Sequence, residues 1–306
     1  MDYDVIIIGA GAAGMTAGIY ASRYQLKNLI IGDLVGGLTT EAHKIFNWPG
    51  SPGISGFELT ANMAEHVKQS GGEILTDQVT EINQESDHTF TIKTRGGKSL
   101  TTKRLLFTSG TKHRKLNLPR EDEYLGRGLA YCATCDGPFF KDAVVTLVGG
   151  GNSVISAALY LADLASKVYV VCRGEALKGE PAWRDELIKR PNVSMIYNTN
   201  VIGLVGEEKL ESLTLDNEFE GSTNLPTTGL FVEIGLLPQT ELFKNLGGEV
   251  DELGYIKVKP DMSTSLQNVY AAGDSTDASN NFHQIVTAAG EGSVAADSIY
   301  KSLSVA

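Results

Sequence analysis

The sequence predicts an α/β protein of two three-layer domains, and two observations carry that prediction. A strand–glycine–helix–strand pattern occurs twice, about 140 residues apart. Glycine is also abundant: 34 of 306 residues, about 11% against an average near ~7%, so the backbone turns tightly or approaches ligands closely in many places. The length suits roughly two domains.

Taken in order, Val5-Ile6-Ile7-Ile8 is a β-branched apolar run that breaks directly into Gly9-Ala10-Gly11-Ala12-Ala13-Gly14. A helical pattern follows through Tyr24, then a second apolar run, Leu29-Ile30-Ile31. Phe46-Asn47-Trp48-Pro49-Gly50 reads as a loop and residues 57–69 as a helix. Residues 73–108 alternate as small antiparallel β insertions do, with a turn at Gly96-Gly97. The opening pattern then returns: Val144–Val148, Gly149-Gly150-Gly151-Asn152-Ser153-Val154, a helix to about Ala165, and the strand Val168–Val171. Near the C-terminus, Val269–Asp274 reads as a strand ending in an acid, with a helix from Gln284 to about Ser302.

Both glycine patterns follow a strand and open a helix, the context in which backbone N–H groups and the helix dipole face a pyrophosphate. Two such dinucleotide-binding, Rossmann-like units imply two nucleotide-sized sites. The second pattern carries Val154 at its third position, where Gly or Ala lets helix and strand approach closely. Asp274 is placed to hold a sugar or ribityl hydroxyl, or equally to cap a turn.

Composition removes whole classes of function. Apolar residues make up 42% and charged residues 21%, ordinary for a globular protein, and no apolar run reaches the ~18 residues of a membrane span. The net charge of 26 − 37 = −11 argues against nucleic-acid partners, which call for a basic footprint. Three cysteines suit a reducing compartment rather than a disulfide framework, and the first strand begins too early for a signal peptide, so a cytoplasmic location is expected.

Cys132-Ala133-Thr134-Cys135 carries the chemistry. Two thiols at this spacing close a small-ring disulfide, and Asp136 beside them is placed to move the proton that thiol–disulfide exchange requires. Zinc is disfavoured, since there is no second such pair and His113 is isolated; inert core cysteines are the blander alternative. Cys172 reads as a small buried residue at a strand end. Trp183 reads as core packing, with ring stacking on a ligand as the alternative.

With these residues in place, the chain resembles the low-molecular-weight thioredoxin reductases nearly end to end. The resemblance rests on Gly9–Gly14, Asn47-Trp48-Pro49-Gly50, Cys132-Ala133-Thr134-Cys135-Asp136-Gly137, Gly229–Gly235, Ala271-Ala272-Gly273-Asp274 and Gln284–Gly290. It implies an FAD domain from residues 1–114 and 246–306 and an inserted nucleotide-binding-like domain over 115–245. Flavin contacts are implied at Gly9, Gly11, Ala12, Ala13, Gly14, Gly37, Asn47, Gly110, Asp274, His283, Gln284 and Ile285. Cys135 is implied to face the flavin and Cys132 to attack the partner's disulfide, with Asp136 handling protons. A homodimer joined through the FAD domains and a thioredoxin-like partner follow from the same resemblance.

Departures gather where that family binds NADPH. The family carries His-Arg-Arg and a further Arg four residues on, which grip the 2′-phosphate by forked contacts; here the stretch is Cys172-Arg173-Gly174-Glu175-Ala176-Leu177-Lys178. A second nucleotide site at Gly149, Gly151, Asn152, Ser153, Arg173 and Lys178 is therefore doubtful for NADPH. Ferredoxin or a second flavin is the expected electron source, and Lys112, His113, Arg114 and Lys115 read as a solvated loop or a docking patch. The alternatives are an ordinary NAD(P)H-dependent reductase, a dithiol oxidase using oxygen, and a flavin redox sensor without turnover.

Overall fold

The computed structural model describes residues 1–42, 44–85 and 88–304. Two compact units emerge, Met1–Lys112 with Leu237–Ala306, and His113–Leu236. The chain returns to the first unit at 237 rather than at the expected 246. Its next residues bind there: Gln239 N donates to Gly110 O and the Thr240 hydroxyl to Gly254 O, both at 2.9 Å.

The first unit opens with β1 (Tyr3–Ile8), α1 (Ala12–Arg23) and β2 (Asn28–Gly32). Ile6, Ile7, Ile30 and Ile31 are all buried, as strands covered on both faces require. Next, α2 (Gly56–Gln69) is capped by Ser55, whose hydroxyl accepts the Glu58 N–H at 3.1 Å. It leads to β3 (Glu73–Thr76), which pairs parallel to β2. Then come β4 (Val79–Gln84), β5 (Phe90–Thr94), β6 (Ser99–Phe107) and β7 (Thr111–His113).

The expected antiparallel insertion over 73–108 is thus narrower and is not a separate sheet. Only β4, β5 and the first half of β6 pair antiparallel, while the second half of β6 runs parallel to β1 in the same sheet. A helix between β2 and β3 makes a crossover, which returns the strand parallel; alternation along one strand does not report its partner's direction.

In the second unit, α3 (Glu121–Tyr124), β8 (Leu129–Ala130) and α4 (Ala133–Asp136) precede β9 (Val144–Gly149), α5 (Asn152–Ala162), β10 (Lys167–Val171), α6 (Pro181–Ile188) and β11 (Val193–Ile196). A three-stranded antiparallel sheet follows, β12 (Val201–Val205), β13 (Ser212–Phe219) and β14 (Ser222–Pro226), then β15 (Gly229–Glu233) and β16 (Leu236–Pro238). The central sheet, β11-β10-β9-β15-β8, is parallel throughout. One core packs α5 and α6 on it, with Trp183 partly buried there; the other packs the antiparallel sheet on its opposite face.

The chain finishes the first unit with α7 (Glu241–Asn245), β17 (Val269–Ala271), parallel to β6, and α8 (Ile285–Ser304). Residues of α1, α2 and α8 share one core, while Phe243 of α7 and Ile256 join the core on the sheet's other face. Each unit therefore has three layers around a mostly parallel sheet.

Candidate active site and cofactor sites

The first glycine turn is shaped by contacts that exclude side chains. Gly9 has φ +118°, and a Cβ there would strike Thr108 O. A Cβ on Gly14 would strike Gly9 O and lie 2.7 Å from Thr108 Oγ1. Thr108, at the end of β6, donates its hydroxyl to Gly9 O at 2.9 Å and so fixes the turn. Gly11 differs: it is the N-cap of α1, with φ −80°, no side-chain cap and no atom within 4 Å of a Cβ. The first N–H groups of α1, from Ala12 onward, therefore have no side-chain cap. Gly37 comes within 3.4 Å of Gly11 Cα, measured from an ideal Cβ, and Gly110 (φ +62°) is open as well.

The C-terminal segment meets this turn. Gly273, at φ +79°, packs its backbone on Ala13, where a Cβ would lie 2.9 Å from the alanine methyl. Asp274 follows it, three residues beyond β17 rather than at the strand's last position. Burial pushes the Asp274 carboxyl above the usual carboxylate range; His283 opposes that shift and Glu291 adds to it. Glu291, buried on α8, accepts the Gly273 N–H at 2.7 Å and the Ser279 hydroxyl. Asn47 Nδ2 donates to Gln284 Oε1 at 2.8 Å, joining two of the expected flavin contacts, and Ile285 begins α8. His283 Nε2 is buried without a hydrogen-bond partner.

These features fit a dinucleotide. The turn offers uncapped N–H groups and room for a phosphate, and Asp274 and His283 supply a buried acceptor and an orphaned ring nitrogen for polar ligand groups. Sequence reading missed Thr108 and Glu291. A glutamate among small residues in Ala288-Ala289-Gly290-Glu291-Gly292 was the available signal, since a charge on a helix's apolar face calls for buried donors.

In the second unit Cys132 and Cys135 form a disulfide, with Cα atoms 5.3 Å apart. Cys132 is the N-cap of α4, and its Sγ accepts the Cys135 N–H at 3.0 Å. Asp136 ends the same turn. Cys132 is only 9% exposed, whereas Cys135 is exposed. Tyr131, just before the pair, donates to Glu121 Oε1 at 2.6 Å and stacks on the His113 ring with centroids 5.5 Å apart. Glu121 is buried and also accepts the Leu116 N–H at 2.9 Å and the Leu118 N–H at 3.3 Å. Burial and this carboxylate push the Tyr131 phenol well above its ordinary value.

The second glycine turn repeats the first in part. Gly149 has φ +149° and would strike Glu233 O with a Cβ, and Gly151 is the open N-cap of α5. Val154 is fully buried in the core, so it sets helix–strand spacing and does not stand where a dinucleotide would lie. Residues 178–180 close on the turn: Lys178 N donates to Gly150 O and Glu180 N to Asn152 Oδ1, both at 2.7 Å. Arg173 and Lys178 have exposed side chains, and Ser153 sits in the first turn of α5. Cys172 is buried, its Sγ 3.8 Å from Ala176 O. Of the basic run, Lys112 pairs with Glu241 at 3.4 Å and Lys115 with Asp122 at 2.5 Å. Among the described residues no helix is long and apolar enough to cross a membrane.

Two dinucleotide-type folds and a Cys132–Cys135 disulfide just ahead of the second are the parts of a disulfide oxidoreductase. The family model described as pyridine nucleotide-disulphide oxidoreductase matches residues 3–292. The thioredoxin reductase of Streptomyces clavuligerus is 40% identical over 298 residues, covering 96% of this chain and 91% of that protein. The crystal structure of Lactococcus lactis thioredoxin reductase superposes with a TM-score of 0.92 at 34% identity, covering 99% of this chain and 100% of the other. A ferredoxin-flavin thioredoxin reductase from Clostridium acetobutylicum gives 0.54 at 33% identity, with 99% of each chain covered. The chain belongs to the pyridine nucleotide-disulphide oxidoreductases and, within them, to the thioredoxin reductase family. It is an FAD-type disulfide oxidoreductase.

Proposed function

We propose that this chain reduces a thioredoxin-like protein by way of FAD and the Cys132–Cys135 disulfide, with an electron donor other than NADPH. The observation that carries the reading is the disulfide itself, capped on a helical turn that ends in Asp136. Gly9, Gly11, Ala12, Ala13, Gly14, Gly37, Gly110, Asn47, Asp274, His283, Gln284 and Ile285 would hold FAD in the unit formed by 1–112 and 237–306. Bound there, the flavin supplies two electrons.

The disulfide takes up those two electrons and two protons and opens to a dithiol. The Cys132 thiolate, favoured by the Cys135 N–H, attacks one sulfur of the partner's disulfide and expels the other as a thiolate, which takes up a proton. Cys135 then attacks the mixed disulfide, so that the intramolecular disulfide re-forms and the partner leaves as a dithiol. Asp136 moves the protons.

The donor reading rests on the loop 172–178, where Gly174 and Lys178 leave fewer forked contacts for a 2′-phosphate. A ferredoxin or a second flavin in the 149–153 turn fits better, and a relative named for ferredoxin supports the former. A homodimer is part of the reading: Phe282, Val286 and Val294 leave apolar side chains exposed along and just before α8. A reducing, cytoplasmic setting suits a chain whose third thiol stays free.

The test is to reduce the holoprotein anaerobically with dithionite, remove the excess, and add oxidised thioredoxin. Stoichiometric thiol formation on thioredoxin is expected. A reduced protein that leaves thioredoxin oxidised and instead consumes oxygen with small dithiols would establish the oxidase alternative.

A further inference from the structure

Tyr131, immediately before the redox pair, is held from two sides. Its hydroxyl donates to Glu121 Oε1 at 2.6 Å, and its ring stacks on His113 with a 26° tilt. Glu121 is buried and accepts the Leu116 and Leu118 N–H groups as well, so both holds come from residues 113–121, the segment with which the chain enters the second unit. Burial, reinforced by Glu121, pushes the phenol upward, which keeps the hydroxyl a donor at neutral pH. The chain changes cores at this point. Tyr131 packs on the core shared with the antiparallel sheet, whereas Ala133 is buried in the core of α5 and α6. Cys132 lies between these two anchors and is buried, while Cys135 is exposed. The anchor on the Ala133 side is apolar and non-directional. The one on the Tyr131 side is a directional bond to a carboxylate, the stronger kind of hydrogen bond.

We propose that Tyr131 is a positioning residue for the redox pair: anchored on Glu121, it holds Cys132 where its sulfur meets that of Cys135, and so favours the disulfide over the dithiol. The inference rests on the reading of Cys132–Cys135 as the redox centre and adds what sets its poise. Joining two thiols costs the freedom they had apart, and a thiol already held in place loses less. The reduced pair is correspondingly the stronger reductant, since whatever favours its disulfide drives electrons onward to the partner. One hydrogen bond to a charged group corresponds to about tenfold or more in an equilibrium constant; with part of it felt at the sulfurs, removing the hydroxyl should shift the pair about three- to tenfold toward dithiol.

The experiment equilibrates the holoprotein anaerobically with dithiothreitol at graded ratios of its oxidised and reduced forms. One dithiothreitol closes to its cyclic disulfide as Cys132–Cys135 takes up two electrons and two protons, and the protein thiols are then alkylated and counted by mass spectrometry. Wild type is compared with Tyr131→Phe, which keeps the ring and loses the hydroxyl. The control is Tyr124→Phe, whose hydroxyl donates to Gly206 O at 2.6 Å beside the same core but does not adjoin the pair. The expected result is about three- to tenfold easier reduction of Tyr131→Phe, with Tyr124→Phe at the wild-type value. An unchanged Tyr131→Phe, or one shifted toward disulfide, overturns the proposal. So does an equal shift in Tyr124→Phe, which would assign the effect to general loosening of the core. If Tyr131→Phe lacks the wild-type circular dichroism spectrum, Glu121→Gln decides, because it takes the charge from the same bond: a shift toward dithiol supports the anchor, and its absence overturns it. A wild-type pair that dithiothreitol never opens would remove the redox reading itself, whereas an unchanged variant beside a titrating wild type leaves that reading standing.

Discussion

At Gly11 the fold and the ligand can be separated experimentally. Its φ of −80° suits any L-residue and its Cβ direction is open, so a large side chain costs the fold little. Gly11→Trp should fold with an unchanged circular dichroism spectrum yet purify without FAD, because the ring occupies the space before the first N–H groups of α1. Full flavin content in a folded variant would place the cofactor elsewhere. The cysteines present the opposite situation, since two observations pull apart. Exposure favours Cys135 as the attacking thiol, whereas the N–H bond to Cys132 Sγ favours thiolate on Cys132. A thiolate is the nucleophile, so stabilising it outweighs exposure in a static chain. Cys135→Ser is accordingly expected to accumulate a mixed disulfide with thioredoxin through Cys132, read by mass spectrometry of the linked peptides. A link formed by Cys135 in Cys132→Ser, with none in Cys135→Ser, would reverse the roles.

Between elements, α8 approaches α1 closely. Gly292 lies on Ala13, and a Cβ there would strike Ala13 O. Gly292→Ala should therefore cost about 1–3 kcal/mol by overpacking, despite alanine's better helix propensity. A urea midpoint equal to or above wild type would show that the two helices can part. This packing also explains what the sequence could and could not reveal. The apolar runs Val5–Ile8 and Val144–Val148 broke into glycine where both strands end, so the two β–α–β units were legible. The partner of β3 was not, because strand direction is set by the helix before it rather than by its own side chains. Nor was the role of Thr108, a hydroxyl at the end of β6 that reaches Gly9 across 99 residues. The disulfide spacing was readable; which sulfur is buried was not, because Ala133 of α4 packs into the core beside Val154 and Ala157 of α5, a contact with no local pattern.

For the whole molecule, the proposed choice of electron source turns on the second glycine turn, where side-chain chemistry is weighed against fold. The backbone is built for a dinucleotide: Gly151 is open and α5 is uncapped. What the site lacks is side-chain grip. Arg173 keeps one fork, Gly174 offers none, and Lys178 presents a point charge. Each charge-assisted hydrogen bond contributes about 1.5–3 kcal/mol, so two lost or weakened contacts are expected to lower NADPH affinity by roughly two to four powers of ten. NADH gains nothing in exchange, because the acid that reads an NAD ribose near the end of the second strand is here the buried Cys172. Neither nucleotide should bleach the flavin efficiently, while photoreduced ferredoxin or dithionite should reduce it and then the disulfide. Anaerobic stopped-flow absorbance at the flavin band, with NADPH, NADH and reduced ferredoxin compared, tests this directly. Bleaching by micromolar NADPH at rates of order 10 s⁻¹, a typical turnover, would show that Arg173 and Lys178 suffice and return the chain to ordinary NADPH dependence. Bleaching by NADH alone would mean that the missing forks changed the nucleotide preference rather than the class of donor.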